Sequence, residues 1–313
     1  MIAAVDIGGS KIAVAMVDQT GRVLARAESP TLPEQGYAAA RERIEEMLLK
    51  VSTASGTTIT GIGIGCTGPI DPFSGEIGAV GFFPDWKGEN PVADLSPSFG
   101  VPVAMENDAD AAALAEAAWG AGRNKTRLIY ITVGTGIGAG LIFDGQLYRG
   151  VAQSHPEIGH HVIDPSGPQC LCGFRGCWES LAAGPSMVAW FQSQSQRNVE
   201  YQHITAKKVC DLAFSGDPLA IRTVERESYY LGLGIANLIS MFVPDSIVLS
   251  GGVMQSASLF LAGIKKIISE CCGFVPFAST DLTLASLGTN ANLIGAARVW
   301  HYRFGPDGGE RAR

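Results

Sequence analysis

The sequence predicts an α/β protein of two domains built by internal duplication, and three observations carry that prediction. Length is the first: 313 residues hold two domains at roughly 150 residues each. Composition is the second, because a chain that is 46% hydrophobic and 17% charged can bury a core and is neither disordered nor fibrous. The third is a repeat: an apolar strand ending in glycine, a second strand and an Asp-led turn occur early in the chain and again later. Gly8 and Asp18 recur as Gly134 and Asp144, both 126 residues on.

Taken in order, Ile2-Ala3-Ala4-Val5-Asp6-Ile7 is an apolar strand ended by Gly8-Gly9, and Ile12-Ala13-Val14-Ala15-Met16-Val17 returns beside it as a hairpin. Asp18-Gln19-Thr20-Gly21 turns the chain into Val23-Leu24-Ala25-Arg26, so three antiparallel strands precede a helix over residues 38–50. Ile62-Gly63-Ile64-Gly65 is a strand whose alternate glycines permit close packing. The turn Cys66-Thr67-Gly68-Pro69-Ile70-Asp71 follows it, and a ligand can lie there. An apolar stretch over 101–105 runs into Glu106-Asn107-Asp108 and then an alanine-rich helix over 109–121. The second copy opens with Leu128 to Val133, passes Gly134-Thr135-Gly136-Ile137-Gly138, and turns again at Asp144-Gly145. A buried strand, Ile247-Val248-Leu249-Ser250, ends in Gly251-Gly252, which would let a flat adenine or ribose approach the backbone. The predicted domains are residues 1–120, completed by a C-terminal helix at about 290–305, and residues 121–289.

Charge and composition exclude several functions. The net charge is −7 with a pI near 5.3, and no Lys/Arg run exceeds two residues, so no nucleic-acid partner is expected. No run of 18 apolar residues and no basic leader occurs, so no membrane partner is expected and the location is cytoplasmic. Seven cysteines, an odd number, suit a reducing compartment and a metal. Gly134-x-Gly136-x-x-Ala139 fits a loose dinucleotide fingerprint, but a strand, a turn and another strand follow where that fold needs a helix. Neither glycine turn has the spacing of a P-loop. Phosphates, if bound, would lie in the hairpin turns, whose backbone N–H groups form anion nests. Asp6 could hold Mg²⁺ through water, with Ser10 and Lys11 donating to phosphate. The plainer alternative is that the glycines only make hairpins.

Asn107 and Asp108 stand at a strand-to-helix junction. They read as a helix cap, as a carboxylate able to take a proton from an attacking hydroxyl, or as both. His155-Pro156-Glu157-Ile158-Gly159-His160-His161 is followed by Cys170, Cys172 and Cys177. One imidazole and three thiolates make a closed tetrahedral zinc set that shapes the protein, with His160 as the nitrogen ligand. Free or oxidised cysteines are the other reading, one that leaves an odd thiol. His161 then reads as a satisfied polar residue, and His155 as a support behind the metal or a substrate contact. Glu157 and Glu179 flank the cysteine segment and can accept hydrogen bonds from adjacent sugar hydroxyls, or simply face solvent. Trp86 and Asn90 read either as neighbours of the acceptor or as part of an exposed aromatic loop. The tail over 305–313, rich in Gly and charge, reads as frayed.

With Asp6-Ile7-Gly8-Gly9-Ser10-Lys11, Glu106-Asn107-Asp108, the turn at 134–138, Glu157-Ile158-Gly159-His160, the Cys170/Cys172/Cys177/Glu179 segment and Ser250-Gly251-Gly252 in order, the sequence resembles the ROK family of sugar kinases over nearly its whole length. The resemblance implies a duplicated actin-like, ribonuclease-H-like α/β fold with two domains around a central cleft, a homodimer, and use of ATP with Mg²⁺ to phosphorylate a hexose. It makes Asp108 the catalytic base and places Asp108 itself with Gly68, Asn107, Glu157, His160 and Glu179 around the sugar. His160 would also bind zinc with the three cysteines, and the glycine turns would carry ATP. Ser10 stands where the family usually has Thr, and Cys66-Thr67-Gly68-Pro69 replaces the usual Pro-Gly at the sugar loop. Family repressors carry a DNA-binding segment ahead of this scaffold, and the first strand here begins at residue 2, which favours the kinase branch. Glucose is the first expected acceptor, with N-acetylmannosamine and fructose behind it. A sugar sensor that binds ATP without catalysis is the rival from another class.

Overall fold

The structure, a computed structural model, describes residues 1–195 and 199–305. β1 (Ile2–Ile7), β2 (Lys11–Val17) and β3 (Val23–Pro30) form an antiparallel meander, followed by α1 (Gly36–Ser55). β4 (Gly61–Cys66) returns parallel to β1, with Ala3 opposite Ile62. α2 (Pro91–Phe99) leads into β5 (Val103–Asn107), parallel to β4, and α3 (Asp108–Trp119) starts on the next residue. β6 (Arg127–Val133), β7 (Ile137–Phe143) and the short β8 (Gln146–Leu147) open the second half. There follow α4 (Trp178–Ala182), α5 (Gly184–Gln194), α6 (Ala206–Phe214) and α7 (Pro218–Phe242). β9 (Ser246–Ser250), α8 (Ala257–Cys271), β10 (Asp281–Leu284) and α9 (Ala291–Phe304) complete the described chain.

The strand order carries the duplication into three dimensions. The first sheet runs β3-β2-β1-β4-β5 and the second β10-β9-β6-β7-β8. Read from its other edge, the second sheet is the first with every strand number raised by five. Each half spends its hairpin strands on one side of the leading strand and its parallel strands on the other. The chain divides into two compact units: Met1–Tyr130 with Gly140–Pro156 and the segment from Ala285 on, and Ile131–Ala139 with Glu157–Leu284.

In the first unit β1 and β4 are buried along their whole length, as expected for parallel strands covered on both faces. Alternate residues serve the two faces. Ala3, Val5 and Ile7 pack with Ile44, Leu48 and Val51 of α1, while Ile2 and Ala4 pack with Leu293, Ala296 and Ala297 of α9. Gly63 exists to admit α9, since a Cβ there would strike the Ala296 carbonyl. Trp86 does not sit on an exposed aromatic loop. Its ring is fully buried, 4.7 Å from Phe83 and 5.6 Å from Tyr37, because residues 83–86 fold under α1 as core. Asn90 caps α2, accepting the Ala93 N–H at 2.9 Å and donating to the Ser74 carbonyl at 2.7 Å. Among the described residues no helix is long and apolar enough to cross a membrane. The tail reading lies, beyond Gly305, outside the described residues.

Candidate active site

The end of β5 delivers three polar residues to the start of α3, and each does something different. Glu106 is buried and makes two hydrogen bonds to Arg149, at 2.8 and 2.5 Å. Burial pushes its carboxyl up, and the guanidinium pulls against that. Asn107 is the cap: its Oδ1 accepts the N–H groups of Ala109 at 2.9 Å and Asp110 at 3.4 Å. Asp108, half-buried, accepts the Ala109 N–H at 2.8 Å and the Thr67 hydroxyl at 3.0 Å. The capping role thus belongs to Asn107, and Asp108 keeps a carboxylate beside the turn that follows β4.

Burial pushes the Asp108 carboxyl up, while the Thr67 and backbone hydrogen bonds and the charge of His155 pull it down. Asp6, near the end of β1, is pushed up to about 7 by burial and then by the Asp108 charge, with Lys11 opposing. Two carboxylates from different elements of the first unit therefore act on one another, a setting that favours a cation or a proton near them. The fully buried Cys66 thiol feels the same pair and is pushed well up, first by burial, which leaves it unreactive. Gly68 lies close to Asn107: a side chain there would come 3.0 Å from Asn107 Nδ2. Gly8 donates its N–H to the Lys11 carbonyl at 3.0 Å, so Gly8, Gly9 and the exposed Ser10 do form the hairpin turn. Lys11 reaches Glu28 at 3.6 Å, both exposed.

In the second unit the other glycine turn lies beside Glu179 and the Gly251-Gly252 turn. Glu179 Oε2 accepts the Ile137 N–H at 2.8 Å, and a Cβ on Gly136 would strike that same oxygen. Gly134 accepts the Gly184 N–H at 2.8 Å, and a Cβ on Gly134 would lie 4.0 Å from the Gly252 nitrogen. Gly251 holds a φ of +95°, and a side chain would press on the Val133 backbone. The two glycine turns of this unit, with Thr135 and Gly138 on the first, are neighbours.

His160, Cys170, Cys172 and Cys177 also converge, with one ligand atom from each all within 4.8 Å of one another. Cys170 Sγ lies 3.4 Å from His160 Nδ1, and the Cys172 and Cys177 sulfurs are 3.4 Å apart, none in a disulfide. Gly176, at φ +69°, lets the loop fold back where a Cβ would strike the Asp164 carbonyl. Glu157 is exposed and begins a 3₁₀ turn through which its carbonyl accepts the His160 N–H at 3.0 Å. His161 is held at 2.5 Å by the Ile158 carbonyl, with its ring 5.5 Å from Trp178. Its Nε2 is buried without a partner, so this residue is only half satisfied. His155 Nδ1 pairs with the buried Asp110 at 2.8 Å. Reading the sequence missed Thr67, Asp110 and Arg149, whose partners lie 41, 45 and 43 residues away along the chain.

The profile of the ROK family matches residues 2–303. This chain belongs to the ROK family. Among its ROK relatives, the glucokinase of Thermotoga maritima is 31% identical over 311 residues, covering 96% of this chain and 97% of that protein. The solved ROK glucokinase of Streptomyces griseus, in complex with glucose and AMPPNP, matches with a TM-score of 0.81 and 31% identity, over 95% of this chain and 97% of that one. The xylose repressor of Bacillus spizizenii is 34% identical over 243 residues, 77% of this chain and 61% of the repressor. The fold is accordingly the duplicated, actin-like α/β fold of ROK proteins.

Proposed function

We propose that this chain is an ATP-dependent hexose kinase that transfers the γ-phosphoryl group to a sugar hydroxyl, with the 6-hydroxyl of glucose as first acceptor. The observation that carries the reading is Asp108. It is a carboxylate on the first turn of a helix, oriented by Thr67 and the Ala109 N–H, in a chain that aligns with a glucokinase along nearly the full length of both. Asp108 takes the proton as the hydroxyl attacks in line. Asn107, Gly68, Glu157, His160 and Glu179 bind and orient the sugar. Gly8, Gly9, Ser10, Lys11, Gly134, Thr135, Gly136 and Gly138 hold the phosphates, and Gly251 and Gly252 face the adenosine. Asp6, its proton easily displaced at neutral pH, fits a Mg²⁺ held through water, and that ion offsets phosphate charge.

His160, Cys170, Cys172 and Cys177 fit a structural zinc. Tetrahedral bonds of about 2.3 Å put sulfur ligands about 3.8 Å apart, and the four atoms here lie within 4.8 Å of one another, close enough to share one ion. Four protein ligands would leave no open position, so an ion held by His160, Cys170, Cys172 and Cys177 would fix the shape of the Glu157–Glu179 segment and supply no chemistry to transfer. The similarity to xylose repressors supports a second reading, a sugar sensor without catalysis. ADP release, followed by a coupled assay with glucose, mannose, fructose and N-acetylmannosamine, decides between them. Turnover with glucose is expected. Silence with every sugar, alongside measurable ATP and zinc binding, favours the sensor.

A further inference from the structure

The segment 149–156, which joins β8 to the Glu157 turn, is built with a costly backbone. Ala152 (φ 53°) and Gln153 (φ 62°) are successive non-glycine residues in the left-handed region. The loop closes on itself through the Gly150 N–H to the Ser154 carbonyl at 2.8 Å. What it delivers is His155, whose Nδ1 meets Asp110 Oδ2 at 2.8 Å. Asp110 sits two residues beyond Asp108 on α3 and is completely buried, and its Oδ1 has no hydrogen-bond partner. A carboxylate with no access to water needs a positive partner, and an imidazole fixed at Nδ1 by a carboxylate favours the imidazolium form. Asp108 and Asp110 share the first turn of α3, so the pair brings an imidazolium to the end of the helix that carries Asp108.

We infer that His155, anchored by the buried Asp110, is a positioning residue for Asp108, supplying the positive charge that keeps the general base ionised. Its catalytic meaning rests on the sugar-kinase reading. The groups bearing on Asp108 are Asp6 from β1, the Cys66 thiol from β4, the Thr67 hydroxyl from the turn after it, Asp110 from its own helix and His155 from the loop. Burial and the acids among them oppose ionisation, and His155 is the cation on the other side, its charge drawing the Asp108 carboxyl down. Lys11 and Arg26 act on Asp6. No pairing of this kind was visible in the sequence.

The test compares wild type with His155→Gln, which removes the charge, and His155→Lys, which keeps it. Loss of the cation with Asp110 still ionised raises the Asp108 pKa, and catalysis needs the ionised form, so the Asp110 carboxyl is followed by ¹³C NMR titration to show that it keeps its charge. The acid limb of the kcat/KM profile should therefore move up by roughly half to one pH unit in His155→Gln, an approximately 3–10-fold loss on that limb. The KM for ATP should stay unchanged, and His155→Lys should restore the limb. A His155→Gln limb that superimposes on wild type overturns the inference. ¹³C NMR titration of the Asp108 carboxyl, without sugar or nucleotide, reads the same charge independently of turnover. An upward midpoint in His155→Gln supports the inference, and an unmoved one overturns it. Wild type silent with every sugar would sink the kinase reading and leave the NMR result standing.

Discussion

Asp108→Asn preserves the size of the side chain and removes its proton-accepting charge. Sugar affinity measured by calorimetry should hold, while turnover falls roughly 10²–10⁴-fold, the usual contribution of a general base. Turnover within a small factor of wild type would take Asp108 out of that role. Glu227 on α7 offers a test unrelated to catalysis. It has no exposure, neither carboxylate oxygen has a hydrogen-bond partner, and burial pushes it up to about 8 against the nearby Arg226. A carboxyl raised in the folded state stabilises most below its unfolded pKa, and that stabilisation is lost as pH rises through 8. Wild-type stability to urea should thus decline between about pH 4.5 and 8 by up to about 5 kcal/mol from this group, and Glu227→Gln should flatten the decline. At this scale the sequence disclosed residues whose neighbours in the chain explain them, such as Asn107 and Asp108 at a helix start. Thr67, Asp110 with His155, and Glu106 with Arg149 were illegible, because a hydrogen bond closing 41 to 45 residues of chain leaves no local pattern.

The hairpin strands, the helix read over 38–50 and the alanine-rich helix read over 109–121 announced themselves through alternation, turn residues and alanine content and lie in or on described elements, whereas α2 and the helices α5, α6 and α7 were not read. The glycines of β4 show the next level of dependence. Their alternation was readable as close packing, but that the neighbour is α9, more than two hundred residues later, was not. Gly63→Ala should cost about 1–3 kcal/mol or more, because the atom it meets is the Ala296 carbonyl, which cannot swing away as a flexible side chain would. A thermal midpoint equal to that of wild type would show that α9 can retreat. The cysteine loop gives the matching test for metal. Atomic absorption should find one zinc per chain in wild type and little in Cys177→Ser, with a lower thermal midpoint and faster amide exchange over residues 160–179. Equal exchange in both proteins would count against a zinc-held loop.

For the molecule as a whole, a ligand that binds only the folded chain raises its stability by mass action. Glucose at a hundred times its Kd should add about 2.7 kcal/mol, readable as a shift in thermal midpoint that a non-acceptor pentitol does not produce. No shift with any hexose would argue against a hexose site. Sequence by itself determined the α/β class, the duplication, the glycine turns and the grouping of His160 with Cys170, Cys172 and Cys177, because period, turn chemistry and residue spacing are written within short stretches of chain. Tertiary structure alone decided which carboxylates share a field, that Trp86 is core, and that His155 answers to Asp110. Burial and through-space charge depend on which distant segments fold side by side, and no local run of residues encodes that.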